Sequence, residues 1–240
     1  MRFKAYFSSS MGNLYCVTAA NGQRLLIECG VTWKKLQKAL KYDLSNIVGA
    51  LCTHEHRDHS KAVEDVMEAG IDVYASEGTF KAIEESLHLH RKAHAIEELT
   101  GVNIASTFRV FPFEVNHDAA QPFGFIVQAD GESLLFITDT MMVKQRFGLA
   151  FDIIALCCSY DVAVLRKREA DGTIDPSLAK RLLTSHMSVE TTKAYLRDCC
   201  CLDKCTEIFL LHMSKSNIDQ ERTRAEFEKL FFCKTFICNS

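Results

Sequence analysis

Short, wholly apolar runs recur along the chain, and amphipathic stretches separate them. Residues 14–17 are one such run, and 25–29 are another, interrupted only by Glu28. Asn21-Gly22 between them predicts a tight turn joining antiparallel strands. Residues 33–40 place Trp33, Leu36 and Leu40 on one helical face. Residues 46–52 read as a buried strand. Residues 60–69 read as a helix with Ala62, Val63, Val66 and Met67 on one side and Gly70 placed to end it. Residues 71–75 alternate as a strand, and 78–99 read as a helix. From Thr107 the pattern becomes strand-rich, with runs at 108–115, 123–127 and 133–137 and a hairpin signal at Asp130-Gly131. A buried strand at 151–156 and a charged, solvated stretch at 166–175 follow. Pro176 opens a helix, residues 184–188 precede another, and 207–211 form an apolar strand running into His212. Residues 218–230 read as a last helix and 231–238 as a terminal strand or coil. Strands and helices interleave throughout, which is an α/β layered pattern.

The chemistry concentrates where one strand meets one helix, at Thr53-His54-Glu55-His56-Arg57-Asp58-His59. His54 and His56, two apart in extended chain, can point together at one metal, while Asp58 and His59 can serve a second. A solvated polar turn is the plainer reading, but four ligand-type side chains in six positions argue against it. Other candidates also stand at strand ends: His117 after 108–115, Asp139 after 133–137, and His212. A carboxylate following a fully apolar strand needs a cation, a hydrogen bond or a metal. His186 is a further candidate, for binding a phosphate or protonating a leaving oxygen. A helix-start histidine with a structural task is the alternative. His88, His90 and His94 read as residues of an exposed helix, although His90 and His94 could share a face.

Composition narrows this picture modestly. With 240 residues, 48% of them hydrophobic, the chain can bury one substantial core, so residues 1–240 are expected to form a single domain. No apolar stretch approaches the ~20 residues of a membrane span, and the start lacks an apolar leader. An odd count of eleven cysteines then points to reduced thiols and a cytoplasmic location. Cys199-Cys200-Cys201 with Cys205 lacks a paired C-x-x-C and reads as buried or idle thiols. A net charge of −3 excludes a globally basic nucleic-acid binder, but a local groove could gather Lys34, Lys35, Lys38, Lys144 and Arg146. The polar run Ser8-Ser9-Ser10-Met11-Gly12-Asn13 reads as a plain turn in preference to an anion cradle.

The order of these features resembles the metallo-β-lactamase-fold hydrolases from end to end. Ser8-Ser9-Ser10-Met11-Gly12-Asn13, His117-Asp118-Ala119, Thr138-Asp139-Thr140, Ser159-Tyr160-Asp161, His186-Met187-Ser188 and His212-Met213-Ser214 are similar to the WalJ (YycJ)-type exonuclease branch. Cys157-Cys158 departs from it, standing where a glutamate and a small polar residue are expected. The resemblance implies a four-layer αβ/βα sandwich. It also implies a dinuclear site in which His54, His56 and His117 hold one ion, Asp58, His59 and His212 the other, and Asp139 bridges. An aspartate at 139, where common zinc β-lactamases carry a cysteine, points to the hydrolase and nuclease branches. Asp58, Asp139 and His186 are then the catalytic candidates. The metals implied are two divalent ions, Zn2+ from the histidine-rich set or Mn2+ from its oxygens, supplying a bridging hydroxide. The function implied is a phosphodiesterase acting on nucleic acid, in the manner of a 5′-to-3′ DNA exonuclease. The rival is a small-molecule hydrolase cleaving a cyclic phosphodiester, lactone or thioester. A non-enzymatic metal-binding scaffold is the third reading. Oligomeric state is not legible.

Overall fold

The structure is a computed structural model that describes residues 1–199 and 202–238. The chain divides into two units. One comprises Met1–Glu114 with Ala119–Glu132; the other comprises Val115–Asp118 with the described residues from Ser133 to Cys238.

The first unit is built on a six-stranded sheet ordered as the chain runs: β1 (Arg2–Ser9), β2 (Gly12–Thr18), β3 (Arg24–Ile27), β4 (Ile47–Leu51), β5 (Val73–Ala75) and β6 (Ala93–Ala95). β1 to β3 pair antiparallel, and the later strands add in parallel. β1 extends the expected two-strand start, because its burial alternates too weakly to announce a strand. Gly22 turns the β2–β3 connection at φ +83°, as Asn21-Gly22 predicts. The crossovers carry α1 (Trp33–Ala39), α2 (Arg57–Ser60), α3 (Val63–Glu68) and α4 (Glu77–Ile83). Leu26, Leu36, Val63, Val66, Val73 and Phe80 pack into one fully buried cluster. Each such side chain contributes about 1.5–3 kcal/mol.

Two sequence expectations fail in this unit. The helix expected over 60–69 forms only from Val63, as α3, with Ser60 in the separate α2, because the Ala62 amide leaves the helical ladder to donate to the Cys29 carbonyl at 2.8 Å. The long helix expected over 78–99 stops at Ile83. A 3-10 turn (Leu87–Leu89) follows, and the chain then enters β6, where Tyr74 pairs with His94. An open sheet edge at β5 outcompetes the weak helical preference of this stretch. The unit also holds an antiparallel set of β7 (Val102–Ile104), β8 (Phe108–Glu114) and β9 (Phe123–Ala129).

The second unit is built on parallel strands: β10 (Glu132–Ile137), whose body from Ser133 belongs here, β11 (Ile153–Cys157), β12 (Glu207–Leu211) and β13 (Lys234–Ile237). All five residues of β11 are buried, as a parallel strand covered on both faces requires. Its helices are α5 (Val162–Ala170), α6 (Pro176–Ser185), α7 (Val189–Cys199) and α8 (Gln220–Phe231). Pro176 opens α6 as expected, behind the Asp175 side-chain cap. α5 occupies the first half of the stretch expected to be solvated coil, started by an Asp161 cap that charge-rich composition concealed. Cys200, Cys201 and the side chain of Cys199 lie outside the described residues, and with them the cysteine cluster expected there.

Candidate metal centre

In the first unit the metal motif is fixed from behind. β4 ends at Leu51, and Thr53 and His54 follow, both buried. The Thr53 hydroxyl donates to Glu28 Oε1 at 2.5 Å, and a hydroxyl has only one proton. Its 2.8 Å contact with His54 Nδ1 therefore has the ring as donor, which makes the buried Nε2 the ring's candidate metal-binding nitrogen. Glu28 Oε1 also lies 3.3 Å from His59 Nδ1. The His54 ring sits 4.8 Å from that of His56 and 4.1 Å from that of His59, so three imidazoles share one locus. Asp58 Oδ2 adds a carboxylate 3.6 Å from His59 Nε2.

Two further contacts hold the turn. Asn13 Nδ2 donates to the Asp58 carbonyl at 2.9 Å and lies 3.1 Å from His59 Nε2. Its own Oδ1 accepts from the Ser9 amide and the Tyr15 hydroxyl, each at 3.1 Å. The serine run is thus a hairpin whose Asn13 braces the motif. Gly30 lies under the same turn. A Cβ there would fall 1.6 Å from the Asp58 carbonyl oxygen, so no other residue permits this approach.

In the second unit Asp139 follows β10 and is 5% exposed. Its two oxygens face different histidines: Oδ2 is 4.0 Å from His117 Nε2, and Oδ1 is 3.4 Å from His212 Nε2. Oδ1 also lies 3.6 Å from His186 Nδ1. His212 follows β12 in the left-handed region at φ +56°, a conformation a non-glycine residue adopts at a cost. His186 caps the C-terminus of α6, and is not the helix-start residue that the alternative reading supposed. Cys157, the last residue of β11, is buried within 4.8 Å of both Asp139 and His186. Burial, then the Asp139 charge, pushes its thiol up to about 12.

The remaining histidines stay apart from these groups. His94 Nε2 lies 2.7 Å from Asp72 Oδ1 and its ring stacks on Tyr74. His88 Nδ1 contacts the Glu85 carbonyl, and His90 Nδ1 accepts from the Lys92 amide. Lys35, one of the lysines considered for a basic groove, places its ammonium 4.0 Å from the Phe7 ring centroid. Sequence reasoning missed Glu28 and Asn13 as supports of the motif. For Glu28 the signal was available, since it ends an apolar strand just as Asp139 does. Asn13 had no comparable signal. Every cysteine among the described residues is unbridged, and no described helix is long and apolar enough to cross a membrane.

Imidazoles and carboxylates in this proportion form a donor set suited to a borderline divalent ion. The chain belongs to the β-lactamase superfamily domain family, whose model matches residues 23–205. It has the mixed α/β metallo-β-lactamase fold, two sheets with helices, and is a metal-dependent hydrolase. It is 27% identical over 246 aligned positions to exodeoxyribonuclease YycJ of Bacillus anthracis, spanning 98% of this chain and 91% of that one. The metallo-β-lactamase fold protein YhfI from Bacillus subtilis superposes with a TM-score of 0.70 at 13% identity, over 99% of this chain and 96% of that one. Zn2+-bound PqqB from Methylobacterium extorquens gives 0.71 at 15% identity, over 100% and 98%.

Proposed function

We propose that the chain is a dinuclear phosphodiesterase acting on nucleic acid, with residues 1–240 working as one hydrolase domain. His54, His56 and His117 hold one divalent ion, Asp58, His59 and His212 hold the other, and Asp139 serves both. The observation that carries this reading is the division of Asp139, with Oδ2 toward His117 and Oδ1 toward His212. A carboxylate serving a single ion has no need to present its two oxygens to two imidazoles.

When bound, such ions supply a water acidified from 15.7 to about 7 and stabilise developing negative charge. Zinc fits the imidazole-rich set, and the carboxylates admit manganese. The chain's own part is orientation and proton handling. Glu28 and Thr53 set the His54 tautomer, and Asn13 and Gly30 fix where Asp58 and His59 point. His186, with its Nδ1 toward Asp139 and its side chain 11% exposed, can give a proton to the departing oxygen. The similarity to an exodeoxyribonuclease supports DNA as the substrate class.

The test is degradation of an end-labelled linear DNA duplex with zinc or manganese, compared with the Asp139→Asn variant. Stepwise loss of label that the variant abolishes is expected, and it gives the polarity of cleavage. Intact DNA in the presence of a metal-loaded protein would overturn the nuclease reading in favour of a small phosphodiester or ester substrate, which the net charge of −3 also suits.

A further inference from the structure

Cys157 ends β11 beside two side chains that can ligate a metal, and this placement gives its thiol a chemistry. β10 and β11 run parallel with Ile137 beside Leu156, so Cys157 arrives next to the turn that carries Asp139. His186 comes to the same place from α6. Its segment is tied down by the Ser159 amide donating to the Met187 carbonyl at 2.9 Å and by the Val189 amide donating to the Tyr160 carbonyl at 2.9 Å. Three donors of different kinds then converge. Cys157 Sγ is 3.9 Å from His186 Nδ1, His186 Nδ1 is 3.6 Å from Asp139 Oδ1, and all the ligand atoms lie within 4.8 Å of one another. Ligand atoms around a tetrahedral zinc, at ~2.0–2.3 Å from the ion, are separated by about 3.3–3.6 Å. The two His186 separations need a contraction of a few tenths of an ångström, and the Cys157–Asp139 edge, at no more than 4.8 Å, closes by a turn of the carboxylate or the thiol.

We infer that Asp139, Cys157 and His186 form a thiolate-containing site for a thiophilic divalent cation such as zinc, cobalt or cadmium. It is additional to the histidine–aspartate set and shares Asp139 with it. On binding, the S–H bond of Cys157 breaks, its proton passes to solvent buffer, and the sulfur lone pair forms the bond to the ion. No electrons are transferred, so no oxidant is needed. The sulfur selects thiophilic ions, which favour thiolates over the oxygen donors that hold magnesium or calcium. The competing account is a thiol that only contacts the Ser159 hydroxyl, 3.3 Å away, within a packed strand end. The inference uses the geometry of one unit and does not depend on the substrate being DNA.

The test is a cobalt(II) titration of the full chain with its resident metal in place, following thiolate-to-cobalt charge-transfer absorption in the near ultraviolet. A saturable band is expected that Cys157→Ser and Cys157→Ala abolish and Cys158→Ser retains. His186→Gln keeps the thiol and should raise the half-saturating cobalt concentration about tenfold or more, the scale known for loss of supporting groups at metal sites. Absence of the band, or a band unchanged in the Cys157 variants, would overturn the site. If those variants lose their circular-dichroism signature, His186→Gln decides, and an unshifted titration sinks the proposal. The DNA assay bears on the substrate reading alone, so the two can fail separately.

Discussion

Glu28 accepts the Thr53 hydroxyl proton at 2.5 Å, and this single bond determines which nitrogen of His54 carries hydrogen. Glu28 sits at φ +68°, just after β3, with none of its surface exposed. Replacing Thr53 by Val keeps the shape but removes the acceptor that holds His54 Nδ1–H. Zinc affinity should fall about 10- to 100-fold, as for other groups that orient ligating histidines. Competition with a coloured chelator measures this. Unchanged affinity would mean that the ring is held by packing alone.

Gly30 offers a sharper steric test. A methyl group there would overlap the Asp58 carbonyl oxygen, which is backbone and cannot rotate away. Gly30→Ala should destabilise the fold by about 3 kcal/mol, the upper range for forced overpacking. It should also weaken metal binding, because relief of the clash moves Asp58 and His59. Urea unfolding of the metal-stripped protein isolates the first effect. Gly148→Ala, beside which a Cβ meets nothing and whose φ is not left-handed, is the control for replacing a glycine alone.

Asp72 makes a prediction about pH. Burial raises its carboxyl, but hydrogen bonds from His94 and Lys92 outweigh that and hold it below its ordinary 3.8. A depressed carboxylate contributes stability that is fully present above the unfolded value and is lost as pH falls through the folded one. Asp72→Asn should therefore cost about 0.5–1 kcal/mol at pH 7. The gap between variant and parent should begin to narrow below pH ~4 and close only as pH falls through the lower folded value. Thermal unfolding at pH 7 and pH 3 reads both. A gap that does not narrow at all between pH 7 and pH 3 would assign the effect to something other than the charge of Asp72.

Some of this site was legible in the sequence, and the reason is spacing. The motif from Thr53 to His59 is one local segment, so its donors are adjacent whatever the rest of the chain does. Asp139 and His212 were legible because each ends an apolar run, where a polar side chain calls for an explanation. Asn13 was not, since it acts on Asp58 across 45 residues and a polar hairpin gives no hint of its destination. The helix expected over 78–99 failed for a related reason: β6 exists only because β5 offers an open edge, and no local pattern encodes that. Cys157 stood out as a departure in sequence, but only the parallel register of β10 and β11 brings it beside Asp139.

Asp139→Asn tests the centre most directly, because the substitution keeps volume and changes only what the two positions offer. An aspartate presents an oxygen to each side, Oδ2 toward His117 and Oδ1 toward His212. An asparagine has one oxygen and one NH2 group, so whichever way it turns, a donor faces one of the two imidazoles. That N–H group can hydrogen-bond to the nitrogen lone pair which a metal would otherwise use. Under the dinuclear reading, elemental analysis should find about one ion fewer per chain, and hydrolysis should fall at least about 100-fold. Circular dichroism and the unfolding midpoint of the metal-stripped protein should stay near those of the parent, since shape is conserved. A variant that keeps both ions and its turnover would show that Asp139 is a buried structural carboxylate, and the assignment of His117 and His212 to separate ions would fall with it.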